Sequence, residues 1–157
     1  MLLIGRGTVF MVSEHHYWLM KSEPAVFSID DLQRDGSTAW DGVRNYQARN
    51  FMRDEMQVDD KVLFYHSNAE PPGVAGVARV SRTAYPDATA QDPKHPAYDP
   101  RATADRPIWV MVDVVFVEKF PRFVTLNQIK QADGLSDMWV RRRRWLAEGE
   151  DPKVVSA

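Results

Sequence analysis

The sequence predicts an α+β fold, namely a small mixed or antiparallel β-barrel with short peripheral helices. Three observations lead to this class. The chain of 157 residues has the length of one domain. Its apolar fraction of 44% and charged fraction of 27% are typical of a folded globular protein. Several strand-like segments occur without the regular strand–helix alternation that a doubly wound parallel sheet requires.

Seven segments justify this class, four of them strands and three of them helices. The helix predicted at residues 28–34 has clear boundaries, because Ser28 can cap its start and Gly36 can end it. Residues 108–120 form the clearest strand, and their apolar character predicts a central strand that is buried on both faces. The other predicted elements are a strand at 15–21, a helix at 45–56, strands at 61–66 and 74–85, and a helix at 125–131 that begins with a Thr-x-x-Gln capping box.

Two stretches lie outside these elements. Residues 86–107 are rich in Pro, Asp and Ala and predict one long loop, which is either functional or mobile. Residues 1–12 are too short to span a bilayer and lack the features of a signal peptide, so we expect a disordered extension before a single domain at 13–157. No later segment is apolar enough to cross a membrane. We therefore expect a cytoplasmic protein with no membrane partner.

The composition limits the possible functions. The net charge of −2 argues against a uniformly positive surface, although a local basic face can still bind phosphates. The absence of cysteine excludes a disulfide scaffold, a thiolate metal site and a cysteine nucleophile. The four histidines form no metal-binding motif, and the glycines form no nucleotide-binding loop. We expect neither a metal nor a cofactor.

A first polar cluster follows the first predicted strand, where Lys21, Ser22 and Glu23 precede Pro24. Proline ends the hydrogen-bond ladder, and polar side chains at the end of a strand are well placed to line the mouth of a barrel. An ordinary strand exit with a Lys–Glu surface pair explains the same residues.

A second cluster spans residues 40–50. Asn45 can cap the helix that follows, and the start of that helix offers free N–H groups to an anion. Arg44 and Arg49 can contact phosphates, while Trp40 and Tyr46 can stack on a base. A core Trp, a core Tyr and a capping Asn explain the pattern equally well.

A third cluster contains His66, Ser67 and Asn68. Adjacent His and Ser residues suggest nucleophilic catalysis, but neighbours in a strand point to opposite faces, and a Ser–His dyad usually joins distant segments. Ser67 and Asn68 are better suited to hydrogen-bond the polar edge of a ligand. Further on, the four arginines at 141–144 form a basic patch that is either solvated or in contact with a nucleic-acid backbone.

Five short sequence runs together resemble the signatures of the EVE domain family of the PUA-like superfamily, which includes the thymocyte nuclear proteins. Their order and spacing are similar to those of the family from about residue 17 to about residue 140. The runs are YWLMKSEP at 17–24, WDGVRNYQARN at 40–50, YHS at 65–67, GVAG at 73–76 and WVMVD at 109–113. After Arg144 the chain departs from the family pattern.

The resemblance implies a compact PUA-like mixed β-barrel with a concave pocket that accepts a flipped, modified base. Modified cytosine in DNA is the favoured ligand, and RNA is the alternative. The pocket residues that the resemblance and the clusters predict are Trp18, Lys21, Ser22, Glu23, Trp40, Asn45, Tyr46, His66, Ser67, Trp109 and Asp113. The predicted phosphate contacts are Arg44, Arg49 and Arg144.

The sequence thus favours a monomeric, non-catalytic module that binds nucleic acid. The alternative is an enzyme similar to the ASCH-domain amidohydrolases, which use a Lys, a hydroxyl and a carboxylate on modified nucleosides. Lys21, Ser22 and Glu23 supply those groups, but adjacent side chains of a strand diverge. A third possibility is a protein-interaction module that uses the long loop.

Overall fold

The computed structural model describes residues 16–132 and the backbone of one further strand near the C-terminus. In chain order the elements are β1 (Tyr17–Ser22), α1 (Ile29–Asp35), β2 (Ser37–Trp40), α2 (Tyr46–Asn50), a π-helical turn (Phe51–Glu55), β3 (Lys61–His66), β4 (Gly73–Pro86), a 3₁₀ turn (Ala88–Ala90), β5 (Val110–Thr125), α3 (Leu126–Gln131) and β6 (Val154–Ser156). Within this part of the chain, six strands form one mixed sheet in the order β2-β5-β4-β3-β1-β6. The mixed sheet and its short helices confirm the predicted α+β fold.

One parallel pair lies in this otherwise antiparallel sheet. Strands β1 and β3 run side by side in the same direction, with Tyr17 opposite Lys61 and Ser22 opposite His66. The remaining ladders between the described strands are antiparallel. Because parallel strands end at the same edge of a sheet, the polar residues after β1 and after β3 become neighbours. The backbone N–H of Ser67 donates to the carbonyl of Ser22 at 3.0 Å across this edge.

The helix boundaries follow from local capping chemistry. Ser28 and Asp31 form a reciprocal capping box at the start of α1, and Gly36 ends the helix with a φ of 77°, a conformation that glycine adopts without strain. The predicted capping box of Thr125 and Gln128 is confirmed at the start of α3. Within the described residues, no helix is both long and apolar enough to cross a membrane.

The hydrophobic core lies on both faces of β1 and β3. Trp18 and Met20 belong to the larger cluster, which also contains Phe64 of β3. Leu19 points to the opposite face and packs in a smaller cluster with Ile129 of α3. This alternation is the period of two that a strand imposes on its side chains.

Two predicted elements need correction, and one observed strand is additional to the predicted ones. The helix predicted at 45–56 is α-helical only from Tyr46 to Asn50 and then widens into the π-helical turn, where Met52 is fully buried. Strand β5 is not buried on both faces: Val112 and Val114 are buried in alternation, and the strand is largely exposed from Val117 onward. The four-residue strand β2, which pairs with β5, was not predicted, because so short an edge strand has no diagnostic alternation.

Two carboxylates anchor the long loop that joins β4 to β5. Asp87 accepts hydrogen bonds from the backbone N–H of Gly42 at 3.0 Å and from both the N–H and the hydroxyl of Thr89. Asp99 accepts from the indole N–H of Trp109 at 2.8 Å and pairs with Arg101. These bonds fix a segment that lacks regular structure over most of its length.

Candidate nucleic-acid-binding cleft

A cleft of about 660 Å³ opens where β1, β2 and β3 end. Its position follows from the parallel pairing of β1 and β3, which brings the segments after both strands to one edge. The cleft is lined by Lys21, Ser22, Glu23, Val26, Phe27, Thr38, Ala39, Trp40, Asp41, Ser67 and Asn68.

Aromatic side chains form one wall of the cleft. Trp40 packs edge-on against Phe64, with ring centroids 5.5 Å apart, and Phe27 lies 6.5 Å from the same ring. Phe64 is fully buried, so it supports both rings from beneath. Trp40 itself is only 6% exposed, and it therefore contributes a small, fixed part of its surface to the cleft.

Polar side chains surround this aromatic wall. The Ser22 hydroxyl donates to the carbonyl of Phe27 at 2.7 Å, and the Asn68 amide donates to the carboxylate of Glu23 at 2.8 Å. The buried Lys21 places its ammonium 5.7 Å from the ring centroid of Tyr65. These contacts hold the polar groups in fixed positions around the cleft.

His66 lies beside the cleft and positions α1. Its Nε2 accepts a hydrogen bond from the backbone N–H of Ile29, the first residue of α1, at 3.1 Å. Burial lowers the pKa of His66 below its ordinary value of 6.5, with nearby Asp30 acting against this shift and Lys119 adding to it. The imidazole is thus neutral near pH 7 and serves as an acceptor at the start of the helix.

Five of the eleven predicted pocket residues line the cleft: Lys21, Ser22, Glu23, Trp40 and Ser67. Among the others, Trp18 is a core residue only 1% exposed, and its indole N–H donates to Asp60 at 2.8 Å. Asn45 caps α2 by accepting from the N–H of Ala48 at 3.0 Å. His66, described above, does not line the cleft either.

Tyr46, Trp109 and Asp113 also lie outside the cleft lining. Tyr46 and Trp109 pack against each other beside the long loop, with ring centroids 4.8 Å apart and ring planes tilted by 32°. Asp113 accepts a hydrogen bond from the hydroxyl of Tyr85. Burial, together with this hydrogen bond, raises the pKa of Tyr85 to about 12.

The predicted phosphate contacts differ from one another. Arg44 is held inside the protein by Asp87, at 2.8 Å, and by the hydroxyl of Thr89. Among the described residues, the hydrogen-bond acceptors of Arg49 are neutral oxygens, those of Asn50 and Ile108, and its guanidinium lies 4.7 Å from the ring centroid of Tyr46. Arg144 lies outside the described residues.

Asn68, which the sequence predicted to hydrogen-bond a ligand together with Ser67, also lines the cleft, whereas five lining residues were not predicted: Val26, Phe27, Thr38, Ala39 and Asp41. A local signal existed for Phe27. It directly precedes the capping residue of α1, and Leu32 stands at the fourth helical position, which is the spacing of a hydrophobic staple. Such a staple fixes the entry of the chain into the helix and so predicts an ordered turn after β1.

The EVE domain family model matches residues 16–148 of this chain. The chain is 47% identical to Thymocyte nuclear protein 1 of Rattus norvegicus over 126 residues, which covers 73% of this chain and 55% of that protein. It is 43% identical to the protein of the same name from Gallus gallus over 150 residues, which covers 83% of this chain and 62% of that protein. The chain therefore spans little more than half the length of these curated relatives.

Two solved structures show the same architecture. A hypothetical protein from Leishmania major superposes with a TM-score of 0.83 at 49% identity, covering 92% of this chain and 87% of that one. Human THYN1 protein, solved in complex with DNA containing 5-methylcytosine, superposes with a TM-score of 0.77 at 38% identity, covering 90% of each chain.

Proposed function

This chain belongs to the EVE domain family, and from that premise we propose that it is a non-catalytic module that binds DNA and takes one unstacked, modified cytosine into its cleft. The observation that carries the proposal is the complex of the human relative with DNA containing 5-methylcytosine. That relative shares the fold over 90% of this chain.

The size and lining of the cleft support a single base as the ligand. A volume of about 660 Å³ is within the range of roughly 300–1,000 Å³ that is usual for small-ligand sites. Trp40 and Phe27 offer apolar surface to the faces of a base, and such contacts contribute roughly 1–3 kcal/mol per base in other proteins. Burying one methyl group in an apolar corner of the cleft adds about 1 kcal/mol, which favours the methylated base.

The charges around the cleft indicate that phosphates are bound elsewhere. Among the lining residues, Lys21 is opposed by the carboxylates of Glu23 and Asp41. The cleft therefore selects a neutral base, and cationic groups outside it must hold the DNA backbone. Of the predicted phosphate contacts in the described part of the chain, Arg49 is the better candidate, because its hydrogen-bond partners carry no charge.

The hydrolase alternative uses residues of the same cleft, since Lys21, Ser22 and Glu23 all line it. The hydrogen bonds of Ser22 and Glu23 favour binding of a ligand over its hydrolysis. The Ser22 proton is donated to a backbone carbonyl, and the Glu23 carboxylate accepts from Asn68, so neither group is set up to exchange a proton with Lys21. Incubation with acylated cytidine should release no acid. Catalytic release that Lys21→Met abolishes would replace the proposal with the hydrolase.

A titration with matched oligonucleotides tests the proposal. DNA with one 5-methylcytosine, the same DNA with cytosine, and RNA of the same sequence are compared in single- and double-stranded form. We expect the methylated DNA to bind most tightly and Ser67→Ala to narrow the gap between methylated and unmethylated DNA. Ser81→Ala is the control, because Ser81 lies in β4 outside the cleft. Equal affinity for both DNAs, or preference for RNA, would contradict the proposal.

A further inference from the structure

We propose that Val26 acts as an apolar wedge, which enters the DNA duplex and fills the gap that the extruded base leaves behind. This inference rests on the proposed function and extends it from the cleft to the surface beside the cleft. It assigns a specific role in duplex recognition to a residue that makes no contribution to the hydrophobic core.

The position of Val26 is the first step of the argument. Val26 lines the cleft and yet is 78% exposed, so its side chain lies at the mouth. A base inside the cleft remains joined to its strand through the backbone, and the rest of the duplex must then lie against that mouth. The residue at the mouth is therefore next to the vacated position in the base stack.

The turn that carries Val26 is held rigidly, which a wedge requires. The backbone N–H groups of Val26 and Phe27 both donate to the carbonyl of Glu23 at 2.9 Å. The Ser22 hydroxyl closes the base of the turn through its 2.7 Å bond to the carbonyl of Phe27. Asn68 holds the Glu23 side chain from the neighbouring segment. The apolar tip is thus ordered before DNA arrives, and little conformational entropy is lost on insertion.

Exposure alone would not single out Val26, because isolated apolar side chains are common on protein surfaces. Val58 and Val117 are also exposed, at 45% and 42%, but neither lines the cleft. Val58 precedes the opposite end of β3, which is about 20 Å away along a six-residue strand. Val26 combines high exposure, an ordered turn and a place at the mouth.

The physical reason for a wedge is the loss of stacking when a base leaves the duplex. Extrusion separates the base from its neighbours, and water must enter the gap unless another group fills it. Apolar side chains inserted between base steps serve this purpose in other DNA-binding proteins. A single strand has no such gap, since its bases can leave the stack without breaking a pair. A wedge should therefore matter for duplex DNA and not for single strands.

The test compares Val26→Ala with Val58→Ala on duplex and single-stranded DNA that carry one 5-methylcytosine. We expect Val26→Ala to weaken duplex binding about 10- to 20-fold, as expected for the removal of two buried methyl groups, and to change single-strand binding less than about twofold. Val26→Asp should weaken duplex binding further. Val58→Ala should bind as the unsubstituted protein does, and thermal melting should show all variants folded.

The other outcomes separate the two proposals. Unchanged duplex binding by Val26→Ala, or an equal loss on duplex and single strands, overturns the wedge while leaving the cleft as the base site. Binding of single strands alone by the unsubstituted protein also overturns the wedge. Failure of the unsubstituted protein to bind either DNA overturns the proposed function and the wedge together.

Discussion

Arg44 and Asp87 form an ion pair of 2.8 Å that joins the segment between β2 and α2 to the start of the long loop. The Asp87 side chain is fully buried, and that of Arg44 is about three-quarters buried. Burial alone would raise the pKa of Asp87, but hydrogen bonds from Thr89, Arg44 and Gly42 outweigh it and lower the pKa. The positive charge of Arg44 therefore stabilises the buried carboxylate of Asp87 within the fold.

We expect Arg44→Ala to lower the free energy of unfolding by about 2–3 kcal/mol, because it leaves a buried carboxylate without its cation. Chemical denaturation followed by tryptophan fluorescence measures this loss. Arg53→Ala is the matched control, since the Arg53–Asp54 pair is exposed and its removal should leave stability unchanged. A normal stability for Arg44→Ala would mean that the ion pair does not hold the loop.

The free energy of unfolding should fall as the pH is lowered into the range where His66 becomes protonated. The pKa of His66 is lower in the folded chain than its ordinary 6.5, so the unfolded chain binds the proton more readily. The contribution of His66 is complete above about pH 6.5 and is lost as the pH falls through the lower, folded pKa.

Melting temperatures at about pH 7.5 and about pH 5 measure this effect. His66→Gln keeps an acceptor for the N–H of Ile29 but cannot titrate, so its melting temperature should fall less over this range than that of the unsubstituted protein. His16→Gln, at an exposed position, should show the full fall. An identical fall in all three proteins would assign the pH dependence to other groups.

Trp40 should affect both stability and binding. Its side chain is nearly buried, so Trp40→Ala should lower the free energy of unfolding by about 3–5 kcal/mol. Trp40→Phe keeps a ring in place and should weaken methylated and unmethylated DNA together, by roughly 1 kcal/mol. Trp18→Phe is the control, because it changes a buried indole outside the cleft lining. Comparable weakening by Trp18→Phe would show that the loss in binding reflects general destabilisation.

Arg49 should contribute to the salt dependence of DNA binding. The logarithm of affinity falls with the logarithm of salt concentration by about 0.9 per neutralised phosphate. We expect a total slope of roughly −2 to −4, and Arg49→Gln should reduce it by about 0.9 without changing the preference for the methylated base. Arg53→Gln controls for net charge. A slope that Arg49→Gln leaves unaltered would remove Arg49 from the phosphate contacts.

Local chemistry made much of the fold predictable. Ser28, Gly36 and Thr125 were correctly identified as helix boundaries, because capping depends on residues within a few positions of each other. The predicted limits of strand β3 agree with those observed. The polar residues that follow β1 and β3 in the sequence correctly indicated where the cleft lies. The limits of α2 were wrong, because the packing of the π-helical turn depends on distant parts of the chain.

The aromatic residues show where prediction from sequence fails. Trp18, Trp40 and Trp109 were all predicted to line the pocket. However, Trp18 donates its indole N–H to the buried carboxylate of Asp60, and Trp109 donates to that of Asp99. A buried indole needs such an acceptor. In the case of Trp18 the acceptor lies more than forty residues away in the sequence, so no local pattern separates a core tryptophan from one that lines a cleft.

The parallel pairing of β1 with β3 also governs how the chain folds. Tyr17 pairs with Lys61, so this ladder closes only after the intervening α1, β2 and α2 segments have been accommodated. Contacts between residues so distant in sequence slow folding, because chain entropy is lost before they form. Since the cleft lies where these two strands end, it should form only after the ladder between them has closed.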